Sequence, residues 1–168
     1  MGKDINDYHL ASYNISLSEE EKIMKEINDE LAVDTFEQDI LCISNLNEQQ
    51  KNAFELILTK FFTSEPVVFF IDGPGGTGKT YLYRAILAAV RSRNLIALAT
   101  ASSRVAAAIL PGGRTAHSRF KLPLQTEDNN TCCISKQSGL AKLLKLAKII
   151  NGMKLQWWIS KQWKAWIK

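Results

Sequence analysis

Eight consecutive residues, GPGGTGKT at positions 73–80, have the types and spacing needed to hold a row of phosphates. They fit the pattern G-x-x-x-x-G-K-[ST] without a gap. Gly73, Gly75, Gly76, Thr77 and Gly78 make a turn whose backbone N–H groups converge on one point, an anion nest at the start of a helix. Lys79 is placed to reach the β- and γ-phosphates, and the Thr80 hydroxyl to ligate Mg²⁺. A nucleotide's phosphates and Mg²⁺ are therefore the expected ligands. A chance Gly-rich turn is the bland alternative, but an apolar run precedes this one and an amphipathic helix follows it.

Hydrolysis needs more than a grip. A P-loop motor also carries an apolar strand ending in Asp or Asp-Glu, for the metal shell and for the attacking water. After Lys79 the only carboxylates are Glu127 and Asp128. They sit in the polar stretch LQTEDNNTCC with no strand before it, so neither is a credible substitute.

The elements that must position the turn can be read from caps and periodicity. Residues 1–17 lack periodicity and read as a loose lead-in. Ser18 with Glu21 forms a capping box, and Ile23, Met24, Ile27 and Leu31 then recur at helical spacing. An irregular stretch follows. Asn47 with Gln50 opens a second helix, with Ala53, Phe54, Ile57, Leu58, Phe61 and Phe62 on its apolar face. Pro66 stops helical continuation, and residues 67–72 read as a buried parallel strand because their apolar run does not alternate. A helix is expected from Thr80 to about Arg93, a second buried strand over 95–101, and a helix over 103–110 that ends at Pro111-Gly112-Gly113. Ser138 caps a last helix, or a helix-to-strand passage, running to about Ile150. Strands alternating with helices imply an α/β fold with a parallel sheet and right-handed crossovers.

At 168 residues and 46% hydrophobic content the chain suffices for one modest domain. Cys42, Cys132 and Cys133 form no metal spacing, and an odd count with one adjacent pair argues for a reducing compartment. No signal peptide is evident, and Asn6 stands where a myristoylation signal wants Ser or Thr. No apolar run is long enough to span a membrane, so a soluble intracellular protein is expected. Charge is sharply divided. Residues 1–72 hold 5 Lys+Arg against 15 Asp+Glu, and residues 73–168 hold 16 against 2. The basic half suggests a polyanionic partner, with a solvated helix surface as the alternative.

Several segments in order resemble the Pif-type (petite integration frequency) DNA helicases of superfamily one: LNEQQKNAFELI, FFIDGPGGTGKTYLYRAILAAVRS, IALATASSRVAAAILPGGRTAHSRFKLPL and CISKQSGLAKLL. The match covers about residues 46–150 and implies an α/β P-loop NTPase (RecA-like) sheet with flanking helices, here incomplete. It implies that Gln50 reads adenine, a role that competes with its place in the capping box. It also implies that Thr100, Ser102 and Ser103 touch single-stranded DNA, although small hydroxyl residues suit simple capping equally well. Arg104 stands where the family has glycine. GGRTAHSRF resembles a second DNA-facing loop, with Arg114, His117, Arg119 and Phe120 as candidates for a backbone-and-stacking grip. The partners implied are ATP and single-stranded DNA or DNA junctions. The implied setting is the nucleus or mitochondrion, with roles in repair, recombination or telomere maintenance.

The family's acidic strand would follow LAKLLKLAKII, where this chain reads NGMKLQWWISKQWKAWIK. That tail, residues 151–168, holds all four tryptophans, four lysines and no acid. Back-translated and read from the third base of each codon, Met153-Lys154 and Trp163-Lys164 each permit only Glu. Trp158-Ile159 and Trp166-Ile167 each permit only Asp. With permitted choices throughout, the neighbouring frame reads WDEAPMVDKQAMESLDK, which looks like the family's acidic strand and the start of the next helix. The expectation is a frameshifted or mis-spliced, truncated motor: a loose region with one helix (1–45), a partial motor domain (46–150) and an aberrant tail. Coding DNA incompatible with WDEAPM in that frame would exclude it. The rival reading of the tail is a basic amphipathic helix, with Ile159, Trp163, Trp166 and Ile167 on one face, suited to a membrane surface or a partner groove.

Such a chain is expected to bind nucleotide and to hydrolyse ATP negligibly. A sheet without its third strand would also leave residues 67–71 and 95–98 poorly covered. The alternatives are a small P-loop kinase or other non-helicase NTPase, and a binding module acting through the tail.

Overall fold

The computed structural model describes residues 18–35, 37–63, 67–121, 134–135 and 138–153. Residues 1–17, the Glu127/Asp128 stretch and the tail beyond Met153 lie outside them. The element order is α1 (Glu19–Leu31), α2 (Glu37–Ser44), α3 (Glu48–Phe62), α4 (Lys79–Arg91), β1 (Ala97–Ala101), α5 (Arg104–Ala108), β2 (Arg114–Thr115), α6 (Ala116–Phe120), α7 (Gly139–Leu146) and β3 (Ile149–Met153). The three strands form a parallel sheet in the order β2-β1-β3. This is a mixed α/β fold with helices against a small parallel sheet.

Local chemistry sets the helix starts as the sequence implies. Ser18 accepts from the Glu21 N–H at 3.2 Å while the Glu21 carboxylate accepts from the Ser18 N–H at 2.7 Å. Asn47 and Gln50 make the same reciprocal box at α3. Ser103 caps α5 and Ser138 caps α7. Each box satisfies orphan N–H groups of a first turn.

The sheet is built differently from expectation. Residues 67–72 are not a strand: they have no ladder partner, and Val67, Val68, Phe69 and Phe70 are exposed, Phe70 at 67%. A strand exists only through its neighbour, and in the order β2-β1-β3 residues 67–72 pair with none of the three strands. The third strand expected to be missing is present. β3 pairs Ala97 with Ile149 through Ala101 with Met153, so it runs across the boundary drawn at residue 150. Backbone pairing is indifferent to side-chain identity, which lets Asn151, Gly152 and Met153 continue the ladder. Ile96, Ala97 and Leu98 are consequently buried rather than left open. The stretch before Asn47, read as irregular, contains α2, and the segment after Gly113 contains β2 and α6.

The core lies on both faces of β1. Leu87 and Val90 of α4 pack with Ala97, Ala99, Ala101, Ala106, Ala107, Leu110 and Met153. Ile96 and Leu98 face Leu140 and Leu143 of α7 on the other side. α2 and α3 close over α4 through Cys42, Phe54, Ile57, Leu82, Ala85 and Ile86. This sandwich fixes α4, and α4 fixes the end of the phosphate loop.

Candidate nucleotide and nucleic-acid site

The phosphate loop has the curvature its glycines permit. Gly76 and Gly78 adopt φ of 83° and 74°, the left-handed region that side chains avoid. Gly78 is the N-cap of α4 and has no side chain to satisfy the first-turn N–H groups, which leaves them for an anion. The Lys79 ammonium folds back over the loop, donating to the carbonyls of Gly73 at 2.5 Å and Pro74 at 2.6 Å. The lysine thus sits over the concavity that its charge would share with phosphate oxygens. Gly75 and Thr77 are exposed, with the Thr77 hydroxyl donating to the Pro74 carbonyl at 3.0 Å.

Gln50 reaches the same loop. Its side-chain amide donates to the Thr77 carbonyl at 3.0 Å and to the Gly78 carbonyl at 3.4 Å, while its oxygen accepts from the Asn47 N–H at 3.1 Å. Capping and loop contact are therefore made by one side chain with its two ends. A Cβ on Gly78 would stand 2.5 Å from the Gln50 nitrogen, so this approach requires glycine.

On the metal side of the site the described residues offer few ligands. The Thr80 hydroxyl lies 3.9 Å from the Met153 sulfur at the end of β3. Mg²⁺ is a hard cation that takes oxygen ligands, and a thioether is a poor donor to it. Among the described residues no group of three or more His, Cys, Asp or Glu side chains could hold a metal. The described residues therefore fit a row of phosphates, and beside Thr80 they gather no cluster of acidic or imidazole ligands for Mg²⁺. Met153 marks the place where the strand delivers a side chain to Thr80. Nothing in the sequence signals the Thr80–Met153 contact, whose members are far apart in the chain.

The seven candidate DNA residues divide by exposure. Thr100 is fully buried, its hydroxyl donating to the Asn151 carbonyl at 2.9 Å across the β1–β3 pair. Ser103 is exposed while its hydroxyl caps α5, and Ser102 is half-buried beside it. Arg114 is exposed and His117 half-buried. Phe120 is buried. Arg119 is 2% exposed: its guanidinium is ion-paired with Glu30 of α1 and donates to the Gly112 carbonyl at 3.2 Å. The Arg114 guanidinium lies 3.9 Å from the same Glu30 oxygen. Ser102, Ser103, Arg114 and His117 thus each keep some exposure, and Arg119 is buried.

Arg91, Asp39 and Arg84 are further charged residues that the sequence did not single out. Arg91 is buried, donating to the carbonyls of Pro111 at 2.9 Å and Ala97 at 2.8 Å. Burial lowers its pKa from the ordinary arginine value, with Glu30 acting in the opposite direction. Asp39 of α2 is buried against Arg84 of α4 at 2.5–2.7 Å. No local pattern announces such pairs, because their members are far apart in sequence.

No helix among the described residues is long and apolar enough to cross a membrane. Comparison with known proteins agrees with the motif order. A family model described as PIF1-like helicase matches residues 45–151. The chain is also similar to the ATP-dependent DNA helicase PIF4 of Trypanosoma brucei brucei, 34% identical over 106 residues, covering 58% of this chain and 12% of that protein. A match over most of the chain, running from the Gln50 cap through the phosphate loop to β3, shows that this protein belongs to the PIF1-like helicase family.

Proposed function

We propose that this chain is the nucleotide-gripping portion of an ATP-dependent DNA helicase motor, able to hold ATP but unable to hydrolyse it unaided. The intact family resemblance implies 5′–3′ unwinding, with repair, recombination or telomere maintenance as the setting and the nucleus or mitochondrion as the place. Gly73, Gly75, Gly76, Thr77, Gly78 and Lys79 bind the phosphates, Gln50 lies at the adenine side, and Thr80 offers one oxygen to Mg²⁺. Ser102, Ser103, Arg114 and His117 contact the phosphates of a single strand or a junction.

The observation that carries this reading is the pairing of Thr80 with Met153 instead of a carboxylate. Without an acid at that point, the groups that stabilise the transition state and orient water are incomplete, which typically costs several kcal/mol of barrier. Equilibrium binding of a fluorescent ATP analogue, followed by phosphate release with and without oligothymidylate, tests it. Binding lost on Lys79→Met, together with turnover at background, is the expected result. DNA-stimulated turnover near that of a complete helicase would overturn the reading.

A further inference from the structure

We propose that α1 is a displaceable electrostatic latch, whose Glu30 occupies Arg119 and Arg114 in place of nucleic-acid phosphate. This rests on the DNA-binding reading above and adds a control to it. α1 lies outside the residues that match the family model, so its acid is added to the shared motor from beyond it. The helix carries Glu19, Glu20, Glu21, Glu26, Asp29 and Glu30 against Lys22 and Lys25, and it packs against a half of the chain that is strongly basic. An acidic helix on a basic face presents carboxylates where a strand would present phosphates.

The contact is specific at one residue. Glu30 is 5% exposed, and one of its oxygens serves both Arg119 and Arg114. Its second oxygen is buried with no hydrogen-bond partner among the described residues, as are the Nε atoms of Arg119 and Arg91 beside it. Unsatisfied buried polar atoms on both members of the Glu30–Arg119 pair make the docked state costly, and undocking would hydrate them.

The rest of α1 is seated on α7. Ile23 is buried against α7, where a Cβ on Gly139 would stand 3.0 Å from the Ile23 Cα, and Ile27 packs beside Leu140 and Leu143. Met24 and Leu31 are left exposed. The Glu30 ion pair with Arg119 and Arg114 is the part of the α1 contact open to competition by a polyanion.

The test is fluorescence anisotropy of a labelled oligothymidylate titrated with the full chain and with Glu30→Gln, over a series of salt concentrations. The variant is expected to bind roughly three- to tenfold tighter, with a salt slope steeper by about one phosphate contact. In an Arg119→Met background the gain from Glu30→Gln should shrink. Limited trypsin digestion of the unchanged chain gives an independent reading should the variant not fold: cleavage at Lys25 is expected to accelerate when oligothymidylate is added. Binding that is unchanged or weakened by Glu30→Gln, or cleavage indifferent to DNA, overturns the latch alone. Absence of binding by both proteins overturns the DNA reading and the latch with it.

Discussion

The Thr80 hydroxyl and the Met153 sulfur stand 3.9 Å apart, one at the first turn of α4 and the other at the last residue of β3. The sheet register brings them together, because pairing of Ala101 with Met153 places the end of β3 level with the end of β1. A methionine there fills space without offering the hard oxygen that a metal beside Thr80 requires.

Met153→Glu is therefore expected to restore a metal-dependent component to nucleotide binding. Titration of ATP by calorimetry, with Mg²⁺ and with EDTA, should show a several-fold difference in the variant and little in the unchanged chain. A difference of about 1 kcal/mol corresponds to one charge-assisted contact. Equal affinities in the two buffers would show that residue 153 is not the acidic position.

Gly78 and Gly75 should respond unlike one another to alanine. At Gly78 the left-handed backbone and the 2.5 Å approach of Gln50 both resist a Cβ, whereas nothing lies within 4 Å of one at Gly75. Gly78→Ala is expected to cost about 1–2 kcal/mol of stability and to displace Gln50. Gly75→Ala should stay within about 0.5 kcal/mol. Urea denaturation midpoints of the two variants make the comparison, and equal losses would contradict it.

The Arg84–Asp39 pair predicts an asymmetry. Asp39 is buried and its second oxygen has no partner among the described residues, while Arg84 is 31% exposed. Removing the arginine strands a buried carboxylate, and removing the carboxylate leaves an arginine that can turn to water. Arg84→Met should therefore cost about 3 kcal/mol or more, and Asp39→Asn clearly less. Thermal melts showing the reverse order would refute the argument.

Lys79→Met separates binding from folding. The ammonium contacts the Gly73 and Pro74 carbonyls and the Thr77 hydroxyl, all within its own loop, so the variant should melt within a few degrees of the unchanged chain. Its nucleotide affinity should fall about tenfold or more, the loss of a charge-assisted bond to phosphate. A large fall in melting temperature would mean that the lysine holds the fold rather than the ligand.

The sequence alone determined the parts of this protein whose causes lie within a few residues. The phosphate loop is contiguous, and its left-handed turns follow from glycine. The boxes at Ser18/Glu21 and Asn47/Gln50 join groups three residues apart, and apolar spacing marked α1, α3 and α4. Only tertiary structure decided the rest. Residues 67–71 are all apolar, as a buried strand would be, yet they pair with no strand of the sheet. Residues 151–153, compositionally foreign, complete the sheet because a ladder is made of backbone. Arg119, read as a DNA contact from its loop, is claimed by a carboxylate 89 residues away. Local conformational preference is written in neighbouring residues, whereas the partner of a strand or a buried charge is chosen by the packing of the whole chain.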